Sequence, residues 1–287
     1  MTFKQIVGLV LLAALAAVAG LMIYTALEVR RIRRAYPPIG QFVPADGLRL
    51  HYVREGDGEP VVMLHGRDGT LQEFTFSFFG QAAEHYDAIA FDRPGYGYSE
   101  WPEDERLSLE VQARLIHQDL SQLSVEDPLL VGHSYGGAVV LRYLLDYPDE
   151  VRGAVLLAPA GSLFAFPNIP IVGPFLTHTI LLPVGRKVAE GMYEQAFWPD
   201  PAPEAYVETM KALYLRPANF TATAGELAVM QDSVQAISPR YGEIQVPVII
   251  LAGSSDQMVD VKGNAWRLAE ALPNGELVLV EGTGHKL

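Results

Sequence analysis

The chain contains no cysteine, and this absence removes several kinds of site at once. Without thiols it can form no disulfide, no thiolate-bound metal centre and no cysteine nucleophile. Positive charge is also scarce, since 21 lysines and arginines stand against 34 aspartates and glutamates and the formal net charge is -13. Binding a nucleic acid requires clustered basic residues that neutralise phosphates, so this composition argues against a nucleic-acid partner.

Charge is missing altogether from residues 5–27, a run dominated by Leu, Ala, Val and Ile. A helix needs about 20 apolar residues to cross the hydrocarbon of a bilayer, so the run predicts a single N-terminal membrane anchor. A cleaved signal peptide is the alternative, because Ala17, Val18 and Ala19 resemble a signal-peptidase site. The apolar run continues past that site, which favours the anchor.

Four arginines follow the apolar run directly, at positions 30, 31, 33 and 34. By the positive-inside rule they favour the cytoplasm for this flank and for the domain behind it. The same arginines could instead contact anionic headgroups, and the domain could then be periplasmic or exported.

A Pro-Pro-Ile-Gly stretch at residues 37–40 breaks any helix and predicts a short stiff linker. We therefore assign residues 1–39 to an anchor with its linker and residues 40–287 to one folded domain. A hydrophobic content of 49% and an aromatic content of 10% are ample for a packed core.

Behind the linker, short apolar runs alternate with longer helical stretches. Residues 48–53 alternate apolar and polar residues, as in a half-buried strand. Continuous apolar runs, which are typical of strands buried on both faces, occupy residues 61–64, 88–91, 129–131, 154–157, 248–251 and 277–280. Helical patterning is clearest at residues 108–123, 135–146 and 261–272. This order predicts an α/β fold with a parallel sheet covered on both sides and its ligand site at the strand C-termini.

The alternation fails between residues 160 and 245. This segment is rich in proline and aromatics, and it shows helical patterning at residues 203–237. It is too long for a plain loop and predicts an inserted, mainly helical cap. Apolar residues of its first half could line a substrate cavity or pack within the cap: Phe164, Phe166, Phe175, Leu181 and Leu182.

The candidate nucleophile is Ser134, in the sequence Gly-His-Ser-Tyr-Gly-Gly at residues 132–137. This sequence follows a predicted strand and opens a predicted helix, which is the setting of a nucleophile elbow. Glycines two residues before and after the serine let the two backbones pass close together, so that the hydroxyl stands exposed. A glycine-rich turn with an incidental serine is the structural alternative.

A serine hydroxyl needs a base, and the base needs an orienting group. His285 is the candidate base, because it follows the last apolar run, although an exposed terminal histidine would occupy the same position. Asp256 follows the run at residues 248–251 and is the candidate orienting acid. Asp260 is its rival but is expected to cap the next helix. The order Ser, Asp, His is the one expected for such an elbow.

The remaining histidines are less suitable. His133 lies inside the elbow and is expected to point away from the serine. His51, His85 and His117 fall on a strand or on helices, where solvated positions are expected.

Backbone amides must also receive the negative charge of a tetrahedral intermediate, and losing one donor costs about 2.7 to 4 kcal/mol of barrier. Tyr135 N–H is adjacent to the nucleophile, and Arg67 N–H follows the strand that ends at His65 and Gly66. The glycine-containing turn at residues 92–99 is expected to pack the sheet edge and to shape the pocket wall.

On these residues the chain resembles the α/β-hydrolase superfamily, and within it the capped esterase and haloperoxidase-like branch. The resemblance rests on His65-Gly66, the turn at residues 92–99, the elbow, Asp256 and Gly284-His285, and it covers residues 40–287. It implies a mostly parallel eight-stranded sheet, no cofactor, and a triad of Ser134, Asp256 and His285. A serine at position 134 disfavours the branches with aspartate there, the epoxide hydrolases and haloalkane dehalogenases. No histidine or carboxylate spacing points to a metal site.

The chain stops two residues after His285, whereas members of this family usually continue into a helix that steadies the histidine loop. We therefore expect either a truncated chain or a less firmly held His285. A displacement of about 1 Å can lower a catalysed rate about a hundredfold.

The expected activity is hydrolysis of a carboxylic ester through an acyl-enzyme on Ser134, with a lipophilic substrate that is reached from the bilayer surface. Cleavage of a carbon–carbon bond in a diketone, or perhydrolysis, would use the same three side chains. A hydrolase-like binding module with little turnover is the alternative from another class.

Overall fold

The molecule consists of one long N-terminal helix and a domain built on an eight-stranded sheet. The computed structural model describes residues 1–102, 105–160 and 181–287. The strands are β1 (Gln41–Ala45), β2 (Leu48–Glu55), β3 (Pro60–Leu64), β4 (Asp87–Phe91), β5 (Leu129–His133), β6 (Gly153–Leu157), β7 (Val248–Gly253) and β8 (Gly275–Val280).

The strands lie side by side in the order β1-β2-β4-β3-β5-β6-β7-β8. β2 pairs antiparallel with both β1 and β4, and every other neighbouring pair is parallel. The prediction of a mostly parallel eight-stranded sheet is therefore confirmed.

Helices cover both faces of this sheet and form the insertion between β6 and β7. They are α1 (Phe3–Ala35), α2 (Gln72–Thr75), α3 (Phe79–Ala83), α4 (Leu109–Gln122), α5 (Tyr135–Asp146), α6 (Leu181–Phe197), α7 (Glu204–Tyr214), α8 (Pro217–Ile237) and α9 (Arg267–Ala271). A 3-10 helix (Ser238–Glu243) follows α8, and a π turn (Lys262–Trp266) precedes α9.

The central strands are apolar throughout because both of their faces are covered. On β3, Val62 and Leu64 join the larger core, which includes residues of α4 and α5. Val61 and Met63 point to the opposite face and pack in a second core with Phe74. Successive side chains of a strand alternate between faces, so a strand between two cores has no polar position.

Two edge strands differ from the predictions. β1 was not predicted, because Pro44 interrupts its pattern, and an edge strand tolerates a proline that a central strand would not. β8 was predicted to be buried on both faces, which is wrong: Val278 and Leu279 are exposed. Ile249 of the neighbouring strand β7 is exposed as well, so burial on both faces is also wrong for that strand, and the physical reason is that the sheet is incompletely covered at this end.

Helix α1 is long and apolar enough to cross a membrane, judged by length and composition, and a signal sequence would satisfy the same criteria. The helix ends at Ala35, directly before the predicted linker. Its last turns contact the domain, since Ile32 is buried beside Leu215 and Tyr98 Oη donates a hydrogen bond to the carbonyl of Tyr36. The division at residue 39 into anchor and domain stays a prediction.

The described part of the insertion is helical and comprises α6, α7 and α8. The helical stretch predicted at residues 203–237 forms two helices, because Pro217 begins the second one. Phe164, Phe166 and Phe175 lie outside the described residues, and Leu181 and Leu182 are described by their backbone alone. Their part in a substrate cavity therefore stays a prediction.

Candidate active site

Ser134 lies at the sharp turn between β5 and α5. Its backbone has φ 50° and ψ -118°, a conformation that costs a non-glycine residue free energy and persists only where the surroundings hold it. Three hydrogen bonds do so: Ser134 N donates to Leu157 O at 2.8 Å, and the amides of Gly137 and Ala160 donate to Ser134 O at 3.0 Å each. The turn is therefore tied to β6 and to the start of α5.

Two glycines make this turn possible. A Cβ atom placed on Gly136 would lie 2.2 Å from the carbonyl oxygen of Leu64, at the end of β3. A Cβ atom on Gly132 would lie 2.7 Å from the carbonyl oxygen of Gly136. Strand and helix thus approach each other within the space that a side chain would occupy, as expected for an elbow.

The predicted base and acid are joined. His285 Nδ1 lies 2.8 Å from Asp256 Oδ2, and the two side chains are 5% and 2% exposed. Asp256 Oδ1 also accepts hydrogen bonds from the amides of Met258 and Val259, at 2.7 and 2.9 Å. Burial works against the charge, but the hydrogen bond from His285, its charge and the two amides hold the pKa of Asp256 below its usual value.

An ionised carboxylate can only accept, so Nδ1 of the imidazole carries a proton, and it is the neutral form of this ring that has its lone pair on Nε2. His285, Ser134 and the two predicted oxyanion-hole residues, Arg67 and Tyr135, all line one cavity of about 250 Å³. Among the described residues the His285 ring is hydrogen-bonded to Asp256 and not to Ser134 Oγ, and hydrogen bonds between a nucleophile and its base are often long in free enzymes. The structure brings the predicted residues together, and their catalytic roles stay predictions.

The predicted oxyanion hole lies beside the serine. Tyr135 is the first residue of α5, where an amide has no intrahelical acceptor and the helix dipole favours negative charge. A Cβ atom on Gly66 would lie 3.1 Å from Ser134 Cβ, so the turn that carries Arg67 contacts Ser134. The guanidinium of Arg67 pairs with Asp68, with Nε and Oδ2 3.0 Å apart.

Asp260, the rival acid, has the capping role that was expected. Its Oδ2 accepts a hydrogen bond from the amide of Gly263 at 2.7 Å. The carboxylate of Asp260 therefore caps the start of the π turn. The carboxylate that contacts His285 is that of Asp256.

The solvated position predicted for His51 is wrong. His51 is fully buried, and its Nδ1 lies 2.7 Å from Asp92 Oδ2. The unpredicted strand β1 covers it, with the ring of Phe42 at 5.1 Å between centroids. His85 is exposed, and His117 is partly exposed and stacks on Tyr147, in line with the prediction for these two histidines.

The turn at residues 92–99 has the structural role that was predicted. Asp92 accepts hydrogen bonds from the amides of Leu71 and Tyr98, at 2.8 Å each, and so ties the turn to the start of α2. The expectation that the turn shapes the pocket wall is wrong, because none of its residues lines the described cavity. The turn is separated from the cavity by the strand-ending residues around His65, which it supports.

His65 illustrates this support. Its Nε2 accepts a hydrogen bond from Arg93 N at 2.9 Å, and its Nδ1 lies 2.7 Å from Gly66 O. One nitrogen accepts and the other donates, so the ring is neutral. Burial and the Arg93 charge lower the pKa of His65 to about 3, against the pull of nearby carboxylates.

Two buried ionic groups around the cavity were not predicted. Arg93 Nη1 lies 2.6 Å from Glu226 Oε1 of α8, and Arg93 also donates to the carbonyl oxygens of His65 and Gly66. Glu73 Oε2 lies 2.7 Å from Lys286 Nζ. No local pattern marks Glu73 or Glu226, because a single glutamate in a helical stretch is ordinarily a surface residue.

Part of the cavity wall is apolar, although Gln195 and Gln257 also line the cavity. The cavity is lined in part by Met192, Ala196, Met230, Met258 and Val259. Methionine side chains are unbranched and adapt to differently shaped apolar groups. Within the described residues, no group of three or more histidines, aspartates or glutamates could hold a metal ion.

The chain belongs to the alpha/beta hydrolase fold family, whose profile matches residues 59–287. It is 26% identical over 248 residues to a 2-hydroxy-6-oxo-6-phenylhexa-2,4-dienoate hydrolase of Burkholderia cepacia, covering 83% of this chain and 85% of that protein. It is 25% identical over 247 residues to Lipase 1 of Psychrobacter immobilis, covering 84% and 76%.

Among solved structures, an esterase from Exiguobacterium antarcticum superimposes with a TM-score of 0.70 at 25% identity, covering 86% of this chain and 92% of that one. The resemblance predicted from the sequence motifs is therefore confirmed. The chain is a member of a hydrolase family with esterase, lipase and carbon–carbon bond hydrolase relatives.

Proposed function

We propose that this protein is a serine hydrolase that cleaves carboxylic esters through an acyl-enzyme on Ser134. The observation that carries the proposal is the 2.8 Å contact between His285 Nδ1 and Asp256, at the cavity onto which Ser134 opens. A serine turn without a held base would have no means of activating its hydroxyl.

In this reaction His285 Nε2 takes the proton of Ser134 as the serine oxygen attacks the ester carbonyl carbon. The amides of Arg67 and Tyr135 receive the negative charge of the tetrahedral oxygen. The protonated imidazole then gives its proton to the leaving alcohol, and Asp256 stabilises its positive charge meanwhile. Water attacks the acyl-enzyme in the same way, with His285 as base, and releases the carboxylic acid and free Ser134.

The substrate that we propose is a lipophilic ester reached from a bilayer surface. The methionine-lined wall and the lipase among the relatives support an apolar acyl group. Helix α1 would hold the domain at the membrane as a single-pass anchor. The arginines that follow the apolar run favour the cytoplasmic side.

Fluorophosphonate labelling of the full-length protein in detergent tests the nucleophile. We expect one adduct on wild-type protein, none on Ser134→Ala, and full labelling of Ser121→Ala, which removes an exposed serine of α4. An adduct that persists in Ser134→Ala would place the nucleophile elsewhere. A folded wild-type protein that takes no label would favour a ligand-binding module over an enzyme.

Carbon–carbon bond hydrolysis is the second candidate, favoured by the relative from Burkholderia cepacia. A panel of p-nitrophenyl esters of increasing chain length, assayed beside a vinylogous diketone, separates the two reactions. We expect the highest kcat/KM with an ester of medium or long chain. A higher kcat/KM with the diketone than with every ester would replace ester hydrolysis by carbon–carbon cleavage.

A further inference from the structure

A buried cluster of three ionisable side chains lies directly behind the proposed catalytic residues. It consists of Glu73 from α2, His133 at the end of β5 and Lys286 from the C-terminal loop. Their side chains are 6%, 5% and 14% exposed. His133 immediately precedes Ser134, and Lys286 immediately follows His285, so the cluster joins the neighbours of both.

The carboxylate of Glu73 contacts both other members of the cluster, Lys286 and His133. Glu73 Oε2 lies 2.7 Å from Lys286 Nζ, and Glu73 Oε1 contacts His133 Nδ1. His133 Nε2 in turn lies 3.1 Å from the carbonyl oxygen of His285. The backbone of the loop is held from the cap as well, because Lys286 N donates to Ala196 O at 2.9 Å.

The ion pair is stable in its charged form despite its burial. Burial opposes the charge of Glu73, but His133 and Lys286 beside it hold the pKa of that carboxyl well below its usual value. Burial likewise opposes the charge of Lys286, and Glu73 outweighs it, so that the pKa of Lys286 is raised. A lowered pKa of Glu73 and a raised pKa of Lys286 both favour the charged forms of the two side chains.

The Glu73–His133–Lys286 cluster connects two chain segments that are not neighbours in the sheet. Ser134 follows β5 and His285 follows β8, and two strands, β6 and β7, separate them in the sheet. Among the described strands, therefore, no sheet hydrogen bond joins the two segments directly. A positioning error of about 1 Å between reacting groups can lower a rate about a hundredfold.

We propose that Glu73 and Lys286 are positioning residues for the base: their ion pair fixes the His285 loop against the elbow and balances the charge around the imidazole. The inference rests on the proposed function and identifies residues that the triad does not include. Neither residue takes part in proton transfer or bond formation.

The effect of the Glu73–Lys286 pair on the pKa of His285 depends on all the charged groups around that ring. Asp256 contacts the ring itself, and the His133 ring lies 4.8 Å from it between centroids. Glu73 and Lys286 lie behind His133, and the Arg67–Asp68 pair lines the same cavity. Removing Lys286 leaves the Glu73 charge with His133 as its remaining partner, and removing Glu73 leaves the Lys286 charge without this counter-ion.

The experiment uses full-length protein carrying Lys286→Met, Glu73→Gln or both, with a soluble p-nitrophenyl ester. In each single variant we expect kcat to fall about tenfold to a hundredfold with KM little changed, because the base is displaced. Lys286→Met leaves a negative charge, which favours a protonated imidazole, so the acid limb of the kcat/KM profile moves up by about one pH unit. Glu73→Gln leaves a positive charge, so that limb moves down.

The double variant leaves no net charge, and its acid limb returns close to the wild-type pH. A matched control is the pair of Glu208 and Lys211 on α7, whose lysine side chain is 13% exposed and so about as buried as that of Lys286; its variants Glu208→Gln and Lys211→Met should leave both kcat and the profile unchanged. Lys286→Arg keeps the charge and serves where Lys286→Met does not fold; its acid limb should stay at the wild-type pH.

Acid limbs that do not move, or that move in the same direction in both single variants, would overturn the positioning role and leave a cluster that only stabilises the fold. That result differs from failure of the proposed function. If wild-type protein is neither labelled at Ser134 nor active on any ester, the function fails and this inference with it; if it is labelled and active, the pH profiles decide the inference alone.

Discussion

Asp119 on α4 shows how a single residue can control the pH dependence of stability. Its side chain is fully buried, and neither carboxylate oxygen has a hydrogen-bond partner among the described residues. Burial raises the pKa of Asp119 to about 8, whereas an unfolded aspartate has a pKa of about 3.9. Between about pH 4 and pH 8 the unfolded chain has released this proton and the native protein keeps it. The contribution of Asp119 therefore lowers stability as pH rises, by at most about 1.4 kcal/mol per pH unit.

Asp119→Asn removes this dependence while keeping the size of the side chain. We expect the free energy of unfolding of the variant, relative to wild type, to rise between pH 5 and pH 8. Urea unfolding at several pH values measures this difference. Glu110→Gln, on the exposed side of the same helix, is the control and should follow the wild type. Parallel curves for Asp119→Asn and wild type would show that Asp119 is ionised in the native protein throughout this range.

At the scale of elements, one buried ion pair joins helix α8 of the insertion to the hydrolase sheet. Arg93 and Glu226 are both fully buried, and Tyr96 Oη and Gln112 Nε2 also donate to Glu226, at 2.8 and 3.0 Å. Since Arg93 donates to the carbonyls of the strand-ending turn at residues 65–66, the insertion helps to hold the turn beside Ser134. The insertion is thus part of the support of the site as well as its cover.

Glu226→Gln should lower the free energy of unfolding by about 3 to 5 kcal/mol, because it leaves the Arg93 charge buried without its counter-ion. Glu243→Gln breaks an exposed pair with Arg240 and should change stability by at most about 1 kcal/mol. Denaturant unfolding compares the two. Equal effects would mean that the buried pair contributes no more than a surface pair.

The packing of α5 on β3 predicts a contrast between two glycines. Gly136→Ala places a methyl group 2.2 Å from Leu64 O and should destabilise the protein by about 3 kcal/mol or more, with loss of activity. Gly191 lies in α6, and apart from its chain neighbours and the backbone of its own helix no atom of the described residues lies within 4 Å of the place that an alanine methyl group would take. Gly191→Ala should therefore stabilise by about 0.5 to 1 kcal/mol. Thermal unfolding of both variants measures this, and tolerance of alanine at position 136 would contradict the close approach of the two backbones.

At the scale of the whole molecule, the proposed anchor and the domain that follows it should be separable. Deleting residues 2–24 removes most of the apolar run and keeps Ile32 and Tyr36, which contact the domain. We expect wild-type protein to stay in the membrane fraction through a carbonate wash, and the shortened protein to be recovered in solution with unchanged kcat/KM on a soluble ester.

Replacing the arginines at positions 30, 31, 33 and 34 by glutamine is the control for attraction to anionic lipids. This variant should resist the wash like wild type, because insertion of the apolar run holds it. A mature protein whose N-terminus follows Ala19 would show instead that the run is a signal peptide.

The parts of the fold that depend on a local sequence pattern could be predicted from the sequence. A buried strand needs apolar side chains, and a sharp turn needs glycines that leave room for its backbone. Both requirements can be seen within a few consecutive residues, in the apolar runs of the central strands and in the glycines around Ser134. The order of Ser134, Asp256 and His285 placed each candidate after a strand that ends at the same edge of the sheet. That they meet there follows from parallel strands having their C-termini on one side.

By itself the sequence determined the α/β class, the turn that exposes Ser134 and the strand ends that carry its candidate partners. Only the tertiary structure decided that His51 is buried beneath β1, that Glu226 pairs with Arg93 and that Glu73 pairs with Lys286. The physical reason is that burial and ion pairing depend on what packs against a residue from distant parts of the chain. A glutamate on a helix has the same local pattern whether it faces water or a buried cation.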